Sequence, residues 1–94
     1  MEIVKDTAYF ETQFQSLVTS TTDTAVRVVF SYMATYARNL ENGIPPAEGR
    51  PPKTKPGPYS QELTQIINGM ASTVEANLLA LLEEFLAYIK LLEA

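Results

Sequence analysis

The sequence predicts an all-α fold, and three observations carry that prediction. Apolar residues recur at three- and four-residue spacing before residue 43. A longer stripe of the same period runs through the last third of the chain. Between them, residues 43–58 hold all six prolines, and proline removes an amide donor and clashes with the preceding helical turn. The expected architecture is two to three helices, at about 7–19, 22–42 and 60–92, joined by a Pro-rich extended connection over 43–58. They would pack as an antiparallel helical hairpin or small bundle, forming a single helical domain over residues 1–94.

The first helix is expected to start at Asp6 or Thr7, either of which can cap it. Tyr9, Phe10, Phe14, Leu17 and Val18 then fall on one face. The run Thr19-Ser20-Thr21-Thr22-Asp23-Thr24 has no apolar member, and its hydroxyls compete for backbone hydrogen bonds. A break or kink near 19–22 is expected, with Ser20 and Asp23 at capping-box spacing, and a continuous helix is the alternative.

The second helix places Val26, Val29, Phe30, Met33, Ala37 and Leu40 on one stripe, with Tyr32 and Tyr36 as a second, partly apolar ridge. Asn42-Gly43 is a helix stop. After the prolines, Ser60 is the expected cap, and Leu63, Ile66, Ile67, Met70, Val74, Leu78, Leu81, Leu82, Phe85, Ile89 and Leu92 trace a single stripe. Gly69 interrupts it, which would suit close approach of a neighbouring helix. The two arms differ in length, composition and charge, and no internal repeat is apparent.

Over Leu78–Leu92 the apolar residues spread beyond the stripe to Leu79, Leu86, Tyr88 and Leu91. A helix apolar around most of its circumference is covered on more than one side. Either a small bundle buries it all, or it associates with another chain. The second reading makes Leu79, Leu82, Phe85, Leu86, Tyr88, Ile89, Leu91 and Leu92 the expected interaction residues, in a homo-oligomer or a larger protein assembly.

The chemistry available is sparse. Neither cysteine nor histidine is present, which removes thiolates, disulfides, the commonest metal ligand and the commonest general base. Glu83 and Glu84 are adjacent and therefore about 100° apart on a helix, so they do not converge on one site. Metal-ligand spacings and phosphate-cradling glycine loops are missing. The expectation is a protein with no enzymatic activity, cofactor, metal or small-molecule substrate.

The net charge of −4 is unevenly spread: −2 over residues 1–42, +2 over 43–58 and −4 over 59–94. An acidic body attracts no phosphate backbone, so nucleic acid is not an expected partner. Arg50, Lys53 and Lys55, with Tyr59 beside them, are either a solvated loop or contacts to an acidic neighbour. The start lacks a basic region followed by an apolar run, so no secretion signal is expected. Leu78–Leu92 spans about 22 Å as a helix, too short for a ~30 Å hydrocarbon core, and no membrane association is expected. A cytoplasmic or virion location follows.

At Gly49-Arg50-Pro51-Pro52-Lys53-Thr54-Lys55-Pro56-Gly57-Pro58-Tyr59-Ser60 the chain resembles a segment of the tail-completion (neck) proteins of tailed bacteriophages. Pro51, Pro52, Thr54, Pro56, Gly57 and Tyr59 match that family's loop. The family continues with a Thr-Gly-x-Leu-Arg-like motif and strands, where this chain has Leu63-Thr64-Gln65 in a helical pattern. The resemblance implies a non-enzymatic, ring-forming virion component of the head–tail or tail region that contacts neighbouring subunits. An assembly or adaptor subunit oligomerising through its C-terminal helix is the leading reading. A small regulatory or inhibitor protein with one cellular target is the alternative.

Overall fold

The computed structural model describes residues 4–43 and 58–94. These form four helices and no strand: α1 (Thr7–Leu17), α2 (Thr24–Glu41), α3 (Tyr59–Met70) and α4 (Ala76–Glu93). The all-α expectation holds at that level, with four helices in place of two or three. The proline-rich connection lies, apart from its two ends, outside the described residues.

The first break falls where the hydroxyl run predicts it. The amide of Thr22 donates to the Thr19 carbonyl at 3.1 Å, and Thr22 Oγ1 accepts from the Thr19 amide at 2.9 Å. Asp23, rather than Ser20, caps α2, accepting from the Ala25 amide at 2.9 Å. Gly43 closes α2 with φ of 76°, a left-handed conformation that glycine adopts without penalty.

The single helix expected over 60–92 is corrected to two. α3 stops at Met70, and Thr73 turns back on it through both its amide and its hydroxyl, each 3.0 Å from the Met70 carbonyl. Glu75 then restarts the chain as the α4 cap, its two carboxylate oxygens accepting from the Asn77 and Leu78 amides at 3.1 and 3.2 Å. Ser60 is corrected too: the cap position of α3 is Pro58, and Ser60 lies inside the first turn. The apolar stripe concealed the break because Val74 keeps helical spacing to Met70 and Leu78 across the turn, while Ser72, Thr73 and Glu75 supply the polar groups that end one helix and start another.

Among the described residues Gly69 meets no neighbouring helix. A Cβ built there has nothing within 4 Å, and its φ is helical. Gly69→Ala is therefore expected to stabilise the fold by about 1 kcal/mol, raising the thermal midpoint by about 4–8 °C. A fall in the midpoint would mean that α3 is not helical at residue 69.

The core is a set of stacked rings with aliphatic flanks. Phe14 stacks on Phe30 with centroids 4.0 Å apart, Phe30 leans on Phe85 at 5.4 Å, and Phe85 stacks on Phe10 at 4.6 Å. α4 is the central helix, packing against α1, α2 and α3. That position explains its nearly continuous apolar circumference, because it is covered by the chain itself on several sides.

An internal repeat appears once the helices are in place, correcting the expectation that there is none. α2 and α4 are both 18 residues long, preceded by the acidic caps Asp23 and Glu75, and their core positions correspond at an offset of 52. Val26, Val29, Phe30 and Met33 match Leu78, Leu81, Leu82 and Phe85. α1 and α3 correspond at an offset of 53, pairing Thr7, Phe10 and Phe14 with Ser60, Leu63 and Ile67. The first turn is thus one residue longer than the second.

Between α2 and α4 only Tyr36/Tyr88, Leu40/Leu92 and Glu41/Glu93 are identical, and two of those pairs build a reciprocal clasp. Glu41, ending α2, accepts from the Thr7 amide of α1 at 3.0 Å and from the Tyr88 hydroxyl of α4. Glu93, ending α4, accepts from the Ser60 amide of α3 at 3.2 Å and from the Tyr36 hydroxyl of α2 at 2.5 Å. Each carboxylate therefore sits on the first turn of its own hairpin's opening helix, where orphan amides and the helix dipole favour it. Each is held there by a tyrosine of the other hairpin. The halves differ in one detail. Ser60 Oγ donates to Glu93 at 2.5 Å, whereas Thr7 Oγ1 is buried with no hydrogen-bond partner.

Candidate interaction face

The fold decides which of the expected interaction residues are accessible. Leu82, Phe85, Leu86 and Ile89 are buried in the chain's own core. Leu79, Tyr88 and Leu92 pack against that core from its edge, and Leu91 alone is largely exposed, at 75%. The eight residues therefore do not form one outward surface: four are core, three flank it and one faces solvent. Tyr59 is no loop contact either. As the first residue of α3 it is buried edge-on against Tyr36, with centroids 5.3 Å apart. Arg50, Lys53 and Lys55 lie outside the described residues.

Exposed apolar side chains collect elsewhere. Val28, Tyr32 and Ile66 keep about two fifths of their surface exposed, at 41%, 38% and 39%. Val28, Tyr32 and Tyr36 follow one another at four-residue intervals along α2, and Tyr59 and Ile66 are seven residues apart on α3, so each set shares a helical face. The Tyr36–Tyr59 contact fixes the register between the two helices. The Ser60–Glu93 bond makes α3 antiparallel to α4, and the crossed tyrosine–glutamate bonds bring the C-terminal ends of α2 and α4 together. α3 therefore runs antiparallel to α2. From the tyrosine pair, Val28 lies about 12 Å up α2 and Ile66 about 10.5 Å along α3, close to the same level.

Among the described residues the charge on this side is low. Ala25, Val28, Tyr32 and Thr35 of α2 and Gln65, Ile66 and Gly69 of α3 are exposed and neutral, and Glu62, half-buried, is the charged residue among them. The α1/α4 side is different. It carries Lys5 bonded to Glu84 at 2.9 Å. On the α1/α2 side Glu11 takes a two-pronged bond from Arg38 at 2.6 and 3.1 Å. Both cations are held more firmly protonated by the carboxylates they touch, and such exposed pairs add little to stability.

Sequence reasoning assigned Ile66 to the core stripe and did not single out Val28. The available signal was that Val28 is apolar and lies off the Val26/Val29/Phe30/Met33 stripe, on the Tyr32 ridge.

Two recesses are lined by described residues. One, of about 470 Å³, lies between the interhelical turns and is lined by Thr19, Thr21, Thr22, Thr73, Asp23 and Glu75 over Leu17, Val26 and Leu78. Its two carboxylates are both committed to capping amides. The other, of about 410 Å³, is a shallow groove between α1 and α2 floored by Phe14, Phe30 and Ala34. Burial, followed by the bond to Glu41, pushes the Tyr88 hydroxyl well above its usual titration range, keeping it a donor. Among the described residues no cluster of acidic side chains could hold a metal ion, and no helix is long and apolar enough to cross a membrane. Comparison of the chain with protein-family models, curated proteins and solved structures returned no match to any of the three.

Proposed function

We propose that the chain is a non-enzymatic assembly or adaptor subunit that works through protein–protein contact. The observation that carries this reading is the exposed apolar surface of Val28 and Tyr32 on α2 and Ile66 on α3, with little charge beside it among the described residues. Such a face is unlike the charged, solvated remainder and has the aromatic, charge-poor character of an interface centre. On α4, the share of the work first expected of the whole C-terminal helix rests on Leu91, with the half-buried Leu79, Tyr88 and Leu92 beside it. A bacteriophage virion is the concrete setting proposed, and its support is the resemblance at residues 49–60.

The test is site-specific photo-cross-linking in cells that make the protein. A benzophenone side chain at Val28 is expected to give a discrete covalent adduct, and the same group at Thr12, exposed on α1, is not. Absence of any adduct from position 28, with the protein folded and abundant, would overturn the assembly reading.

A further inference from the structure

We infer that the outer edge of α4 docks into the α1/α2 groove of a second copy of this chain, with Leu91 as the inserted side chain. The inference rests on the assembly reading and adds a chain-to-chain contact to it. The internal repeat carries it, because each half of the chain is a reference for the other.

The groove is where the first repeat lacks bulk. Ala34 forms its floor with Phe14 and Phe30, and Arg27 lies on its rim. At the offset of 52 the α4 counterparts of Ala34 and Arg27 are Leu86 and Leu79, the first buried and the second packed at the core's edge. Two leucines thus occupy in the second hairpin what an alanine and an arginine leave as a recess of about 410 Å³ in the first. The lining of such a recess forgoes the contacts that a filling side chain would give it.

Leu91 departs from the repeat in the opposite sense. Its α2 counterpart is the polar Asn39, whereas Leu91 is apolar and 75% exposed. Ala80, Glu84, Ala87 and Leu91 follow one another at four-, three- and four-residue steps, so they share one exposed strip of α4. The alanines keep that strip low, and Leu91 stands at its end as a large apolar knob.

Register and charge fit knob to groove. Arg27 precedes Ala34 by seven residues on α2, and Glu84 precedes Leu91 by seven on α4, about 10.5 Å in each case. A parallel approach that seats Leu91 over Ala34 therefore brings Glu84 to Arg27. Among the described residues Arg27 makes no ion pair, and its guanidinium donates to the Thr19 carbonyl at 2.6 Å. Lys5 donates to one oxygen of Glu84, Oε1, which leaves Oε2 to accept. Glu11, also on the groove, is already paired with Arg38. Strip and groove are different surfaces, so the contact runs head to tail, and each copy can hold one neighbour while another holds it. One helix edge makes a small interface, with a dissociation constant on the order of 100 μM.

Sedimentation equilibrium on the full chain, between about 10 μM and 1 mM, is the test. The mean mass is expected to rise from 10.4 kDa past twice that value. Leu91→Asn, which copies the residue of the other repeat, is expected to weaken association at least about tenfold with the helical circular dichroism unchanged. Ala34→Leu is expected to do the same from the opposite side, by filling the groove from within. Arg27→Glu serves as the third variant should Ala34→Leu fold poorly, and Glu84→Arg in the same chain is expected to restore association. Tyr32→Glu, on the α2/α3 face, is expected to leave it intact. A single 10.4 kDa species at the highest concentration overturns the inference, as does a plateau at two chains. Association that survives both Leu91→Asn and Arg27→Glu overturns it too. The photo-adduct at position 28 keeps the two readings apart. A chain that stays monomeric yet forms that adduct with another protein loses this contact and keeps the adaptor reading.

Discussion

Phe85→Ala is expected to remove most of the protein's stability. Phe85 has no exposed surface and lies between Phe10, 4.6 Å away on α1, and Phe30, 5.4 Å away on α2, with Tyr88 at 6.4 Å on its own helix. Truncating a buried phenylalanine costs about 3–5 kcal/mol through lost burial and the cavity left behind. A 94-residue domain has on the order of 5–10 kcal/mol in total, so a third to nearly all of it goes. At about 4–8 °C per kcal/mol the thermal midpoint falls by about 12–40 °C, and the urea midpoint falls with it. Leu91→Ala, on the same helix and equally apolar by sequence, is expected to stay within about 0.5 kcal/mol, because Leu91 is 75% exposed. The pair tests the orientation of α4 directly. A large loss at Leu91 with a small one at Phe85 would mean that α4 presents the other face to the bundle.

That contrast also marks where the sequence stopped being readable. Leu86 and Leu91 are the same residue type five positions apart on one helix, and composition cannot say which is covered. The apolar excess on α4 signalled that something covers more than one side. It did not say that the cover is α1, α2 and α3 of the same chain, because that depends on a turn at residues 71–75 that folds α3 back. Spacing could not reveal that turn, since Met70, Val74 and Leu78 keep a four-residue step through it. The earlier break was legible because residues 19–24 contain no apolar side chain to continue the stripe. The repeat was hidden for a different reason. Packing conserves size and polarity by position, so Val26, Phe30 and Met33 answer to Leu78, Leu82 and Phe85 without identity. Only the tyrosine and glutamate of each clasp, which need a hydroxyl donor and a carboxylate acceptor at fixed reach, recur as identical residues alongside Leu40 and Leu92. The α2/α3 face was partly visible as the Tyr32 ridge, but the partner side chain, Ile66, read as core until α3 proved to be a short separate helix.

The clasp yields the second large effect, and it is expected to be unequal between the halves. Glu93 accepts from three donors, the Ser60 amide and hydroxyl and the Tyr36 hydroxyl, with both of those residues buried. Glu93→Ala removes the acceptor that the Ser60 amide and hydroxyl share in a place water does not readily reach, and the Tyr36 hydroxyl loses its bond to α4, at a cost of about 2–4 kcal/mol. Glu41 makes the matching contacts to Thr7 and Tyr88 but is itself exposed, so water can take its place. Glu41→Ala is accordingly expected to cost about 1 kcal/mol. Denaturant melts of the two variants give the comparison. A double-mutant cycle then assigns the Glu93 loss to its cause. Tyr36→Phe removes the donor and keeps the ring against Tyr59, so Glu93→Ala in that background should cost about 1–2 kcal/mol less than in the native chain. Additive losses would show that Glu93 acts only through Ser60, as a helix cap within its own hairpin. A coupling of the expected size shows that the carboxylate ties the two hairpins together, so that α2 and α4 hold each other's ends in place and the α2/α3 face keeps its shape.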